Sequence, residues 1–127
     1  MKLLLDTHVI IWFLNGDVRL SARARDAILS RANQKFASIV TVWEVAIKLS
    51  LQKLSFRGGV TGFLHLLEDN DFTLLPLDGR HLVELEKLPW LHRDPFDRLL
   101  VAAAFVENMS LITHDQNMRL YPVPCFW

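Results

Sequence analysis

Residues 2–14 read KLLLDTHVIIWFL, and the way this stretch divides decides the fold. Lys2–Leu5 is a short unbroken apolar run ending at a carboxylate, Asp6. A run this short and this apolar suits a strand buried on both faces, not one half-exposed in a hairpin. Val9–Leu14 continues as an apolar helix, which Asn15-Gly16 stops. The same alternation recurs downstream. Ser21 reads as an N-cap, with Ala24, Ala27, Ile28 and Ala32 at helical spacing behind it. Lys35–Ile39 reads as a strand and Thr41–Leu51 as a helix, and Gly58-Gly59 breaks the path before a helix over about Val60–Asp69. Phe72–Leu75 is a third strand closed by Pro76, and Asp78 caps a helix running to Leu88. Asp94-Pro95 opens a helix that reaches about Asn108, Leu111–Thr113 is a fourth strand, and Tyr121–Val123 is a candidate fifth. The pattern predicts a three-layer α/β/α domain with a mainly parallel sheet of four to five strands.

The chain of 127 residues shows no repeat, linker or like-charge block, so residues 1–127 read as a single domain. Fourteen basic and fourteen acidic residues cancel, which excludes a body that coats nucleic acid through bulk charge but leaves room for a local acidic pocket. A single cysteine, Cys125, forms neither an internal disulfide nor a Cys-based zinc site, which points to a reducing compartment. The longest apolar run, Leu99–Val106, is far short of the roughly 18 residues that span a bilayer. Asp6 interrupts any signal-peptide core at the start. The expectation is a soluble cytoplasmic protein without a membrane partner.

The acids carry the chemistry. Asp6 follows the first strand, Asp115 follows the fourth, Glu44 lies in the first turn of the helix after the second, and Asp94 and Asp97 open the helix before the fourth. Parallel α/β sheets bind ligands beyond the carboxyl ends of their strands, so these acids converge on one sheet edge. Convergent carboxylates repel one another and call for a cation, and an all-oxygen set selects Mg²⁺ or Mn²⁺ over zinc. Each acid also has a plainer use. Asp6 can cap the helix near Thr7, Glu44 can pair with Lys48 at i,i+4, and Asp115 can close a turn. Asp94-Pro95-Phe96-Asp97 is a good helix start, which assigns Asp94 to the cap and leaves Asp97 as the better ligand. Glu44 is the only charge in Ile39–Ile47, and a carboxylate on so apolar a helix needs a strong partner. His8 and His114 stand beside Asp6 and Asp115, whereas His65, His81 and His92 show no metal spacing; Ser38 and Thr41 could supply hydroxyls near the site, with capping of the Thr41 helix as the preferred reading.

Taken in order, LLDTHVIIWFL, TVWEVAIK, LPWLHRDPFDRLLVAAA and LITHD, with Trp127, resemble the PIN-domain ribonucleases, and most closely the VapC-type toxins of bacterial type II toxin–antitoxin pairs. The resemblance spans essentially the whole chain. It implies a site of Asp6, Glu44, Asp97 and Asp115, with Asp94 as an additional ligand, holding Mg²⁺ or Mn²⁺ for hydrolysis of RNA phosphodiester bonds. It also implies a small cognate antitoxin and a homodimer. Ala103 stands where close relatives often carry glutamine, and His8 where many wider PIN domains have asparagine. Lys48, Arg93 and Arg98 are candidates for the RNA backbone, with an ordinary solvated face as the alternative. Trp12, Trp43, Ile47 and Leu51 are candidates for a groove that takes an apolar antitoxin helix, with core packing as the alternative.

Two other classes fit the acids. A phospho-acceptor signalling domain also gathers aspartates and Mg²⁺ at strand ends, but needs an acceptor after a middle strand, and Phe72–Leu75 ends in Pro76. A catalytically silent binding module would use the acids only as caps and salt bridges.

Overall fold

In the computed structural model, which describes residues 1–127, the opening apolar run forms β1 (Lys2–Leu5), with Leu3, Leu4 and Leu5 fully buried. The chain continues through α1 (Thr7–Asn15), α2 (Ala22–Leu29), β2 (Gln34–Ser38), α3 (Ile39–Ser50), α4 (Gly59–Asp69) and β3 (Thr73–Leu75). It then forms α5 (Gly79–Lys87), α6 (Pro95–Val106), β4 (Ser110–Ile112) and β5 (Cys125–Phe126). The five strands pair in the order β3-β2-β1-β4-β5, and every pairing is parallel.

Alternation along β1 builds the layers, because successive side chains leave a strand on opposite faces. Leu4 packs with Leu100, Val101 and Ala104 of α6, whereas Leu3 and Leu5 pack with Val9 and Ile10 of α1, Ile28 of α2 and Phe63 of α4. α3 serves both cores, with Val40 in the first and Val42 and Val45 in the second. The expected α/β/α layering is what forms. α1 stops at Gly16, whose φ of 63° lets its N–H turn back to Phe13 O, a conformation few residues other than glycine tolerate.

The chain winds outward from β1 through β2 to β3, then crosses back over α5 and α6 to β4 on the other side of β1. Strand order therefore reverses at β1, and the crevice beyond its carboxyl end is the topological switch point where such sheets bind ligands.

Several sequence expectations change. The fifth strand is Cys125–Phe126, not Tyr121–Val123. Tyr121 and Val123 are buried against α6, and Pro122 and Pro124, which bracket Val123, have no N–H to give to a sheet. α3 begins at Ile39, capped by the Ser38 hydroxyl accepting from Val40 N at 3.0 Å, so Thr41 is not its cap. β3 is an edge strand, and the aspartate that follows the central strand is Asp6. Arg98, expected to meet RNA, is 3% exposed and belongs to the core. Its guanidinium donates to Pro89 O at 2.8 Å, Leu88 O at 3.4 Å and Tyr121 Oη at 3.1 Å, and lies 3.9 Å from the Trp90 ring centre. It ties the loop before α6 to the segment that precedes β5.

Removing this side chain leaves Leu88 O without a donor and takes one charge-assisted bond each from Pro89 O and Tyr121 Oη, which keep Leu91 N and His92, in a buried place where each such loss is of order 1–3 kcal/mol. Arg98→Ala is expected to lower unfolding stability by roughly 3 kcal/mol, measured by urea denaturation. A change under about 0.5 kcal/mol, the range of an ordinary surface substitution, would return Arg98 to the solvated face.

Candidate metal centre

Asp6 is the N-cap residue of α1 by position, but its side chain makes no capping hydrogen bond. Its backbone does the structural work: Asp6 N donates to Ile112 O at 3.0 Å, and Asp6 O accepts from Ile10 N at 3.1 Å. The carboxylate is free for another use, is 5% exposed, and accepts from the Thr113 hydroxyl at 2.9 Å. Thr113 follows β4, and its hydroxyl also accepts from Asp115 N at 3.0 Å. One side chain thus fixes both the carboxylate beyond β1 and the backbone that carries Asp115. Asp115 accepts from Asn117 N at 2.7 Å, so the turn expected of it exists, while it also lines a cleft together with Asp6.

Glu44 is placed by a second hydroxyl pair. Thr7 at the start of α1 and Thr41 in α3 share a buried hydrogen bond of 2.9 Å. Thr41 and Glu44 are three residues apart and lie on one helical face. Glu44 is 9% exposed and is paired with Lys48 at 2.9 Å. The strong partner expected of Glu44 is present, and Lys48 is engaged by it, which weighs against a free role on the RNA backbone. Arg93 stays exposed beside Asp94.

On α6 the two aspartates separate as the sequence suggests. Asp94 is exposed and caps the helix by accepting from Asp97 N at 3.0 Å. Asp97 does not reach back to the cap; its Oδ2 lies 3.3 Å from His92 Nε2. His92 Nδ1 is 2.9 Å from Tyr121 Oη, which in turn accepts from Arg98. In this chain of bonds Tyr121 Oη can donate to Nδ1, which leaves Nε2 to donate to Asp97. Sequence reasoning missed Thr113, Thr7 and His92 as positioning groups. The only sequence signal was polarity at the apolar strand ends, in Asp6-Thr7 and Thr113-His114-Asp115.

The electrostatics tie the acids together. Burial pushes the Asp97 carboxyl up to about 8, and the negative charges of Asp6, Asp94, Asp115 and Glu44 push the same way. Burial also raises Asp6, against the Thr113 hydrogen bond, with Glu44 and Asp115 adding to the rise. So many acids whose charges oppose one another at one crevice form a donor set that fits a hard divalent cation.

A tighter trio of ligand-type atoms, all within 4.8 Å, lies elsewhere, at Asp78, His81 and Glu107. It is already satisfied. Arg80 spans the two carboxylates at 2.8 and 2.7 Å, and His81 Nδ1 accepts from Asp78 N, which leaves Nε2 to donate to Glu107 at 3.0 Å. No imidazole lone pair remains for an ion there.

The chain belongs to the PIN domain family, whose model matches residues 3–123. It is 28% identical over 123 residues to ribonuclease VapC22 of Mycobacterium tuberculosis, covering 95% of this chain and 92% of that one. Among solved structures it is similar to VapBC2 from Rickettsia felis bound to a promoter DNA fragment, with a TM-score of 0.77, 15% identity, and 100% and 99% of the two chains covered. VapBC-1 from nontypeable Haemophilus influenzae gives a TM-score of 0.70 at 19% identity, with 99% and 97% covered. At these identities the solved structures attest the fold.

The Asp97 shift sets a pH dependence. Its carboxyl titrates near 8 when folded, against an ordinary value of 3.8, so the metal-free native state holds this proton more tightly than the unfolded chain. Stability without metal is expected to fall as pH rises from about 4 towards 8. Asp97→Asn is expected to raise the metal-free Tm at pH 7.5 and to flatten that fall. Equal Tm values for the two proteins from pH 5 to pH 8 would show that Asp97 carries no such strain.

Proposed function

We propose that this chain, acting as one domain of residues 1–127 in the reducing cytoplasm, is a metal-dependent ribonuclease of the toxin type, silenced by a small cognate antitoxin. The observation that carries the reading is the Asp6 carboxylate. It is buried, unused as a cap, and set beside Asp115, Glu44 and Asp97 at the switch point of the sheet. In this reading Asp6, Glu44, Asp97 and Asp115 hold Mg²⁺ or Mn²⁺, while Asp94 keeps its place as the cap. Such an ion supplies positive charge at a phosphoryl oxygen and lowers the pKa of water, which is what hydrolysis of a phosphodiester needs. The chain's own groups keep the acids in place: Thr113 orients Asp6, His92 holds Asp97, and Lys48 offsets the charge of Glu44. Arg93 is the cation left for the RNA backbone.

Membership of the PIN family and likeness to a relative named as a ribonuclease support hydrolysis of RNA. The phospho-acceptor reading has an aspartate after the central strand, but its Oδ2 is engaged by Thr113 and its carboxyl is buried, which weighs against phosphorylation there. Acetyl phosphate is expected to leave the protein unlabelled.

A partner has a place to act. An arginine of the antitoxin can enter the acidic crevice and pair with its carboxylates in bidentate fashion. Ile39, Trp43, Ile47 and Leu51 recur every four residues along α3 and are all exposed, a stripe that suits an apolar helix or a second copy of the chain. Trp12, expected in the same groove, packs instead against His8, His114 and Trp127, whereas Trp43 meets Phe96.

EDTA is expected to stop cleavage of a panel of structured RNAs, and added Mg²⁺ or Mn²⁺ to restore it. Asp97→Asn should lower the rate at least a hundredfold with the fold intact, while Asp94→Asn keeps a good cap and most activity. Full cleavage after rigorous chelation, or near wild-type cleavage by Asp97→Asn, would overturn the metal assignment. In cells, expression alone is expected to arrest growth, Asp6→Ala to relieve the arrest, and co-expression of the neighbouring small reading frame to do the same. Confirmed soluble expression with no growth defect and no RNA cleavage would count against the toxin reading.

A further inference from the structure

Beside the acids lies a cleft of about 300 Å³ lined by Asp6, His8, Val9, Trp12, Arg19, His114 and Asp115. Two of its walls are carboxylates of the metal centre and three are aromatic rings. The rings are mutually braced: Trp12 has ring centres of His8 at 6.1 Å, His114 at 6.4 Å and Trp127 at 5.8 Å, and His114 lies 5.1 Å from Trp127. Arg19 closes the rim, its guanidinium 5.1 Å from the Trp12 ring centre. Asp17 takes the Arg19 Nε and Nη2 protons at 3.1 and 2.7 Å, which fixes the guanidinium plane and leaves Nη1 to donate to a ligand.

None of this is needed to hold a metal. A hard cation gains nothing from indole and imidazole rings, and His8 and His114 stay exposed at the cleft instead of packing into the core. Flat rings fixed next to a site for a phosphodiester match the other half of a nucleotide. A base stacks on aromatic or guanidinium planes, and such stacking tolerates any base because every base has a π face. The cleft is at the small end of ligand pockets, room for one base but not for a helix about 10 Å across.

We propose that this cleft is a subsite for one unpaired RNA base next to the scissile phosphate, stacked among His8, Trp12 and His114, with Arg19 Nη1 donating to that nucleotide. The inference rests on the ribonuclease reading and deepens it by naming the side chains that hold the base beside the cleaved bond. It adds binding residues that lie outside the acidic set.

The test is a set of single-stranded RNA oligonucleotides, each with one base removed and the ribose kept, titrated in Ca²⁺ against wild type, Trp12→Leu, His114→Ala and Phe105→Leu, Phe105 being an exposed ring of α6 with no part in either site. Removing one particular base, adjacent to the bond that wild type cuts in Mg²⁺, is expected to weaken wild-type binding about tenfold. Trp12→Leu and His114→Ala should each weaken binding of the intact RNA by a similar factor and abolish the effect of removing that base. Phe105→Leu should keep the full effect. In Mg²⁺ the same two variants should raise KM far more than they lower kcat. His114 is exposed, so its variant tests the idea even if Trp12→Leu is poorly folded. Cleavage by wild type with no position sensitive to base removal, or equal sensitivity in His114→Ala, would overturn the subsite and leave the ribonuclease reading standing. Weakened capture of the co-expressed antitoxin with unchanged RNA binding would make the cleft a protein-docking surface and overturn it equally. A wild-type protein that neither binds nor cleaves RNA would remove the ribonuclease reading, and the subsite with it.

Discussion

Repulsion among carboxylates is the constraint around which this molecule is arranged. Asp6, Glu44, Asp97 and Asp115 come from different segments of the chain, yet Glu44 and Asp115 raise the cost of ionising Asp6, and all three raise it for Asp97. A fold without a use for them would spread them into water. Here they are kept by specific bonds: Thr113 to Asp6, Lys48 to Glu44, His92 to Asp97, and Asn117 to Asp115. The Thr113 bond reaches Asp6 from the neighbouring strand end, whereas Lys48, His92 and Asn117 lie within five residues of the acids they meet. The site is therefore rigid while still short of positive charge, the condition under which a divalent ion binds tightly.

The sheet makes this arrangement possible. β1 is buried on both faces and flanked by β2 and β4, so the segments after three adjacent strands open at one edge. The Thr113–Asp6 bond crosses 107 positions of sequence between neighbouring strand ends. Behind α6, the line from Arg98 through Tyr121 and His92 to Asp97 carries the rigidity of the core to the crevice. A cation lodged at the start of α6 thus acts on the site by position, without touching a substrate.

Much of the fold was legible because apolar run length and helix signals are local. Lys2–Leu5, the Gly16 stop, the Asp78 and Asp94 caps and the layer order all follow from short-range patterns. What failed was non-local. Tyr121–Val123 looks like a strand because its apolar residues alternate, but they alternate to meet α6 across Pro122 and Pro124. Arg98 looks like a surface cation because only its tertiary neighbours, Leu88, Pro89, Trp90 and Tyr121, supply its acceptors and its aromatic lid. The acids were legible as a set through their places at strand ends. Whether Asp6 caps α1 or faces the crevice depends on one side-chain torsion, which no sequence pattern encodes.

The central claim is that the Asp97 proton and a divalent ion compete for the same crevice. Calorimetric titration of Mn²⁺ at pH 7 in two buffers of different ionisation enthalpy measures this directly. With the Asp97 carboxyl near 8 in the metal-free protein, each ion bound should release close to one proton, and Asp97→Asn should release far less. Binding of Mn²⁺ with no proton release by the wild type, or with the same release by Asp97→Asn, would contradict the account.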